Sequence, residues 1–174
     1  MGVLSVDTAA HAATSAATFV LLGKLYLTIA AQGGARFKAG SRPPEDAKLS
    51  LTKTMGAAKI PQTFGLATSA PADASVDAVK QEKYKMNDLR WQRIVMNDLE
   101  NIPIGLIIAW SSLLSAYSPK AHSVLVISFA AFRMFHTYSY AKALQPHRAI
   151  GWIGGITTAS LMALNGLVGV LAQL

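Results

Sequence analysis

Arg90, Arg93, Asn97 and Glu100 are spaced so that, at about 100° per residue, they share an arc of about 80° on a single helix. One face would then carry two guanidiniums, an amide and a carboxylate. Further along the chain Arg133, His136 and Tyr140 repeat the pattern within an arc of about 60°. Arginine forks grip carboxylates in pairs, and a lone acid such as Glu100 can hold an ammonium. A pocket of these groups therefore suits a small zwitterion with more negative than positive charge. The competing reading is that the charges pair among themselves and satisfy a helix interface. Lys24 with Asp98 or Glu100 is then the candidate pair, and Lys24, Asp98 and Arg133 are the structural ion-pair candidates.

Other chemistries lack their residues. The chain has no cysteine, which removes disulfides, thiolate zinc sites, iron–sulfur clusters and any sulfur nucleophile of its own. Histidines at 11, 122, 136 and 147 show no metal-ligand spacing, so no metal is expected, and nothing supports haem ligation between helices. No phosphate loop, serine–histidine–acid order or glycosylation sequon occurs.

The elements that must position these residues are greasy. Of the 174 residues 52% are hydrophobic and 14% charged, with a mean hydropathy of +0.33. Few charges in long neutral runs describe a chain that crosses a membrane several times rather than a soluble or disordered one. Residues 101–119 and 149–174 carry no charged side chain, each enough to cross a hydrocarbon core of about 30 Å. The run from Ser123 to Phe129 marks a third span, and residues from Thr8 to Ala31, interrupted only by His11 and Lys24, mark a fourth. The spans are expected at about 8–32, 88–117, 120–144 and 147–173, joined after the first by a long connection, 33–87. Without a basic segment before it, and with Asp7 where a cation would be expected, the first span reads as a retained helix and not a signal peptide.

Gly33-Gly34 is expected to close the first helix, Asn87 or Asp88 to cap the second, and Ser118-Pro119 and Gln145-Pro146-His147 to separate the last three. Pro103 would free the carbonyl of Leu99 and kink the second span. The Ala/Ser/Asp-rich stretch from Thr68 to Val79 reads as a mobile loop. The short last two connections make consecutive helices antiparallel, giving an all-α, antiparallel four-helix transmembrane bundle. Gly151, Gly155, Ala159 and Ala163 form a ladder that admits a neighbouring backbone, from the same subunit or another copy.

The net charge is +7, and nine Lys and Arg residues lie between Gln32 and Leu89. The positive-inside rule places the first and third connections in the cytoplasm and both termini on the other side. Arg90, Tyr140 and Arg148 then lie near one membrane surface, and the partners expected of this charge are anionic lipid head groups or an anionic ligand, not nucleic acid.

Arg90-Trp91-Gln92-Arg93-Ile94-Val95-Met96-Asn97-Asp98-Leu99-Glu100-Asn101-Ile102, followed by Arg133-Met134-Phe135-His136-Thr137-Tyr138-Ser139-Tyr140, forms a specific combination. With Lys24-Leu25-Tyr26, Pro44-Glu45-Asp46-Ala47 and Gln145-Pro146-His147-Arg148, the chain resembles the membrane-associated proteins in eicosanoid and glutathione metabolism. Within them it looks most like the microsomal glutathione transferases. The resemblance touches all four spans. It implies a homotrimer of four-helix subunits in the endoplasmic reticulum, or else a mitochondrial membrane. Glutathione would bind between neighbouring subunits on the cytoplasmic side, and a lipophilic electrophile or lipid hydroperoxide would arrive through the bilayer. Carried over by position, Arg90, Arg93, Asn97, Glu100, His136 and Tyr140 would contact glutathione, Arg148 would sit nearest its sulfur, and Arg36 or Lys38 would add a contact.

Glutathione has two carboxylates, one ammonium and one thiol, which matches an arginine-rich pocket with a single acid. A free thiol has a pKa of about 8.5, so a nearby cation must hold the thiolate, and Arg148 can do so without losing its own proton. A chain without cysteine would thus borrow its nucleophile. Val95, Met96 and Trp152 depart from the prostaglandin synthase pattern, and Asn101 from the leukotriene synthase pattern. General transferase or peroxidase activity is therefore expected ahead of prostaglandin E isomerisation. The alternative is a non-catalytic subunit that braces a larger membrane assembly through the 33–87 connection.

Overall fold

The computed structural model describes residues 6–58, 60–66 and 78–174. Among these, every regular element is helical: α1 (Thr8–Ala39), a 3-10 turn (Pro44–Lys48), α2 (Ser50–Thr54), α3 (Ala78–Leu113), α4 (Pro119–Ala141) and α5 (His147–Leu171). Two of them, α1 and α5, are long and apolar enough to cross a membrane. The other two long helices carry more polar residues: α3 has an N-terminal half rich in Lys and Arg, and α4 contains Lys120, Arg133 and two histidines.

Two boundaries differ from the sequence expectation. The first helix does not stop at Gly33-Gly34 but continues to Ala39. Each glycine costs a helix about 1 kcal/mol relative to alanine, and burial of Ala35, Phe37 and Ala39 opposes that cost. The stop comes at Gly40, with φ +76°. The Ser41 amide donates to Arg36 O (3.0 Å) and the Gly40 amide to Phe37 O (3.3 Å), the paired bonds of a Schellman motif. The second correction concerns α3, which begins at Ala78, so Asn87 and Asp88 lie inside the helix and cap nothing. The stretch expected to form a loop falls mostly on residues 67–77, outside the described residues, and its last positions, Ala78 and Val79, open α3.

The chain divides into two compact units: Met1–Leu25 with Met96–Leu174, and Tyr26–Val95. In the first, Asp7 Oδ1 accepts from the Ala10 amide at 2.8 Å and caps α1, and Ser118 Oγ accepts from the Ala121 amide at 3.2 Å and caps α4. One core joins Ala17 and Leu21 of α1, Ile102 and Ala109 of α3, Val126, Phe129 and Ala130 of α4, and Met162 of α5. Contact registers give the directions. Thr18 meets Trp110 and Lys24 meets Asp98, so α1 and α3 run oppositely. Asn97 meets Arg133 and Ser112 meets His122, so α3 and α4 do too.

Glycine sets the closest approaches. A Cβ on Gly151 would lie 2.9 Å from His136 Cα, one on Gly155 would lie 3.5 Å from Arg133 Cδ, and one on Gly105 would collide with the Phe129 ring. Of the expected small-residue ladder, Gly151 and Gly155 therefore face α4 of the same chain, whereas Ala163 is exposed. The buried line on α5 continues instead through Thr158, Met162, Gly166 and Gly169.

In the second unit the connection after α1 is folded. Buried Gln62 donates to Phe37 O (3.0 Å) and Ile60 O (3.2 Å) and accepts from the Arg42 amide (3.2 Å), tying residues 60–62 to the end of α1. The Arg42 guanidinium lies 4.5 Å from the Phe37 ring centre and bonds Asp46 at 2.8 Å. Gln81 of α3 donates to Ala39 O at 3.0 Å, satisfying one of the terminal carbonyls of α1.

Candidate functional site

Hydrophobic packing of α1, α3 and α4 brings three charged side chains to one buried point. Lys24 Nζ lies 2.5 Å from Asp98 Oδ2, and Arg133 Nη2 lies 2.8 Å from Asp98 Oδ1. All three residues are buried. One carboxylate thus sits between two cations, leaving the cluster one positive charge in excess. The same Arg133 nitrogen donates to Asn97 Oδ1 at 2.6 Å. Asn97, which the resemblance assigns to glutathione, gives its amide oxygen to Arg133 within this chain.

One turn beyond Arg133, the buried His136 ring meets the edge of Tyr140 at 5.7 Å between centres. From the first turn of α5, Arg148 lays its guanidinium over the other ring partner, 4.6 Å from the centre of Tyr140. The missing side chain of Gly151 permits this convergence, because it lets α5 reach the backbone of His136. His136 Nδ1, Thr137 Oγ1 and Ser139 Oγ are buried with no hydrogen-bond partner among the described residues. A buried polar atom without a partner costs about 1–3 kcal/mol, so this end of α4 is suited to a polar ligand or to a second copy. The arrangement can hold an anion beside a cation that stays charged at any working pH.

The remaining expected site residues stand elsewhere. Glu100 is exposed and lines a cavity of about 180 Å³ with Asn101, Ile104, Phe129 and Ile156. Arg93 is exposed and Arg90 half-buried on α3. Lys38 is exposed at the end of α1, and Arg36 is half-buried, donating weakly to Ser41 O at 3.4 Å and lining a polar cavity of about 230 Å³. Contacts within the chain therefore unite His136, Tyr140 and Arg148, and separately Lys24, Asn97, Asp98 and Arg133.

Sequence reasoning missed a polar cluster. His122, buried on α4, lies 3.1 Å from Thr14 Oγ1 through Nε2 and 3.5 Å from Ser112 Oγ through Nδ1. The available signal was a lone histidine one turn into α4 facing hydroxyls on two helices, which no motif describes. It also missed Asp88 and Gln92 as cavity-lining residues, although their spacing of four matches that of Gln32 and Arg36.

Comparison with known families shows that the model of the MAPEG family fits residues 14–168. None of the curated proteins matches the chain.

Proposed function

The chain belongs to the MAPEG family, and from that premise we propose that it is a membrane-bound glutathione transferase. The family is membrane-integral and includes glutathione transferases, peroxidases and prostaglandin E synthases. The observation that carries the transferase reading is Arg148 stacked on Tyr140 beside His136, a fixed cation at the α4–α5 junction. Arg148 holds the glutathione sulfur as thiolate, and the thiolate attacks a lipophilic electrophile delivered by the bilayer. The Arg148 guanidinium cannot take up the thiol proton, which leaves to solvent.

Arg90 and Arg93 take the carboxylates and Glu100 the ammonium, with the exposed Lys38 as a further contact, since Arg36 lines a cavity of its own. Arg133, held by Asp98, fixes Asn97. The same thiolate reduces a lipid hydroperoxide, two glutathiones becoming the disulfide while the hydroperoxide leaves as alcohol and water. An exposed carboxylate and arginine on a membrane-crossing helix are costly against lipid. We therefore read the Arg93–Glu100 face of α3 as covered by a neighbouring copy in a homotrimer, with glutathione between copies. The helices α3 and α4 complete four spans, with the folded connection in the cytoplasm, in the endoplasmic reticulum or a mitochondrial membrane.

A second reading is a bracing subunit of a larger assembly, favoured by the exposed Leu49, Leu51 and Leu66 on the folded connection. Adding glutathione to the purified protein separates the two. A transferase gives the ultraviolet absorbance of a thiolate and turns over a chlorinated aromatic substrate. Arg148→Ala should keep the fold but lose the thiolate signal and about 10²-fold or more of turnover. An unchanged thiolate signal in that variant removes Arg148 from the mechanism. Intact trimers with neither signal favour the bracing subunit.

A further inference from the structure

The second unit contains a polar cavity of about 230 Å³ lined by Gln32, Arg36, Ser41, Phe64, Asp88 and Gln92. Two pairs with a spacing of four build its walls, Gln32 and Arg36 from α1 and Asp88 and Gln92 from α3, so each helix presents two polar side chains one turn apart. The connection supplies the rest. Thr63 and Gly65 amides donate to Gly40 O at 3.0 and 3.3 Å, and the Phe64 amide donates to Arg42 O at 2.9 Å, which brings Phe64 over the cavity beside Ser41. Phe64 holds φ +57° there, a left-handed conformation that bulky residues rarely adopt and that tends to be kept at ligand clamps.

The two charges are incompletely used. Asp88 Oδ1 is buried and has no hydrogen-bond partner among the described residues. The only hydrogen bond from the Arg36 side chain among the described residues is the long one to Ser41 O, although a guanidinium has five N–H donors. A base on the α1 wall and an acid on the α3 wall, each with a neutral amide one turn away, match a molecule that carries an ammonium and a carboxylate together. The cavity is smaller than the roughly 300–1,000 Å³ of pockets for drug-sized ligands, which fits a single amino acid better than a tripeptide.

We propose that this cavity is a binding site for a free α-amino acid, its carboxylate on Arg36 and its ammonium on Asp88, with Gln32 and Gln92 reading the polar edges and Phe64 closing over it. The site is separate from the glutathione site proposed above.

Titration calorimetry on the purified full-length protein with L-alanine, propionate and ethylamine tests it, since the latter two each lack one of the charged groups. L-alanine should bind, and propionate and ethylamine should bind about tenfold more weakly or worse. Asp88→Asn should weaken L-alanine to the level of propionate while leaving glutathione affinity unchanged. Should Asp88→Asn fail to fold, Gln92→Leu at the exposed rim replaces it and should also weaken L-alanine. No heat from L-alanine at millimolar concentration overturns the proposal, as does propionate binding as tightly as L-alanine. Displacement of L-alanine by glutathione overturns it too, by making the cavity part of the glutathione site. A protein that binds L-alanine but never glutathione upholds the cavity and removes the transferase reading instead.

Discussion

Removing the Asp98 side chain is costly, because it is buried and two cations depend on it, Lys24 at 2.5 Å and Arg133 at 2.8 Å. Removing one partner of a buried ion cluster leaves charge without compensation, typically about 3–5 kcal/mol. Asp98→Asn should therefore lower stability by about that amount in detergent unfolding. Glu100→Gln, only two positions away but exposed, should change stability by less than about 0.5 kcal/mol while weakening glutathione. Equal stability losses in the two variants would contradict the burial difference. The residues were legible as an interior charge set, since acids and bases within apolar runs are rare enough to demand partners. Which of the neighbouring acids takes Lys24 was not legible. Asp98 and Glu100 differ by about 200° around the helix, and only the packing of α1 against α3 chooses between them.

At the scale of elements, the helix ends carry the information. Gly40 and Ala143 both stand at left-handed positions, φ +76° and +57°. Around Ala143 the same paired bonds recur, Leu144 N to Ser139 O at 2.8 Å and Ala143 N to Tyr140 O at 3.1 Å. An alanine there is disfavoured by about 1–2 kcal/mol, so Ala143→Gly should raise stability by up to about 1 kcal/mol, read as a higher unfolding midpoint with unchanged helix content. A lower midpoint would mean that the cap does not form. The breaks at Ser118-Pro119 and Pro146 could be read from residue chemistry alone. The breaks around the long connection could not, because tertiary burial of Phe37 and its neighbours carries α1 through two glycines. On α3, the helix formers Lys80 to Met86 extend the helix upstream of the polar pair that looked like a cap.

For the whole molecule, the proposed trimer would decide how the site residues meet. Arg93 and Glu100 point outward from a single chain, whereas His136, Tyr140 and Arg148 gather at the α4–α5 junction. A mass measurement in detergent should give three times the 18.4 kDa chain, and glutathione binding should be lost when the copies are separated. Monomers with full glutathione affinity would defeat the intersubunit reading. By itself the sequence determined the helical class, the apolar lengths, the absence of sulfur chemistry and the charged stripes, all of which follow from local periodicity and side-chain type. Tertiary structure decided which charges neutralise one another, where α1 and α3 begin or end, and that the connection folds against both helices to enclose a cavity. Those outcomes depend on contacts between residues distant in the chain, whose geometry no local spacing encodes.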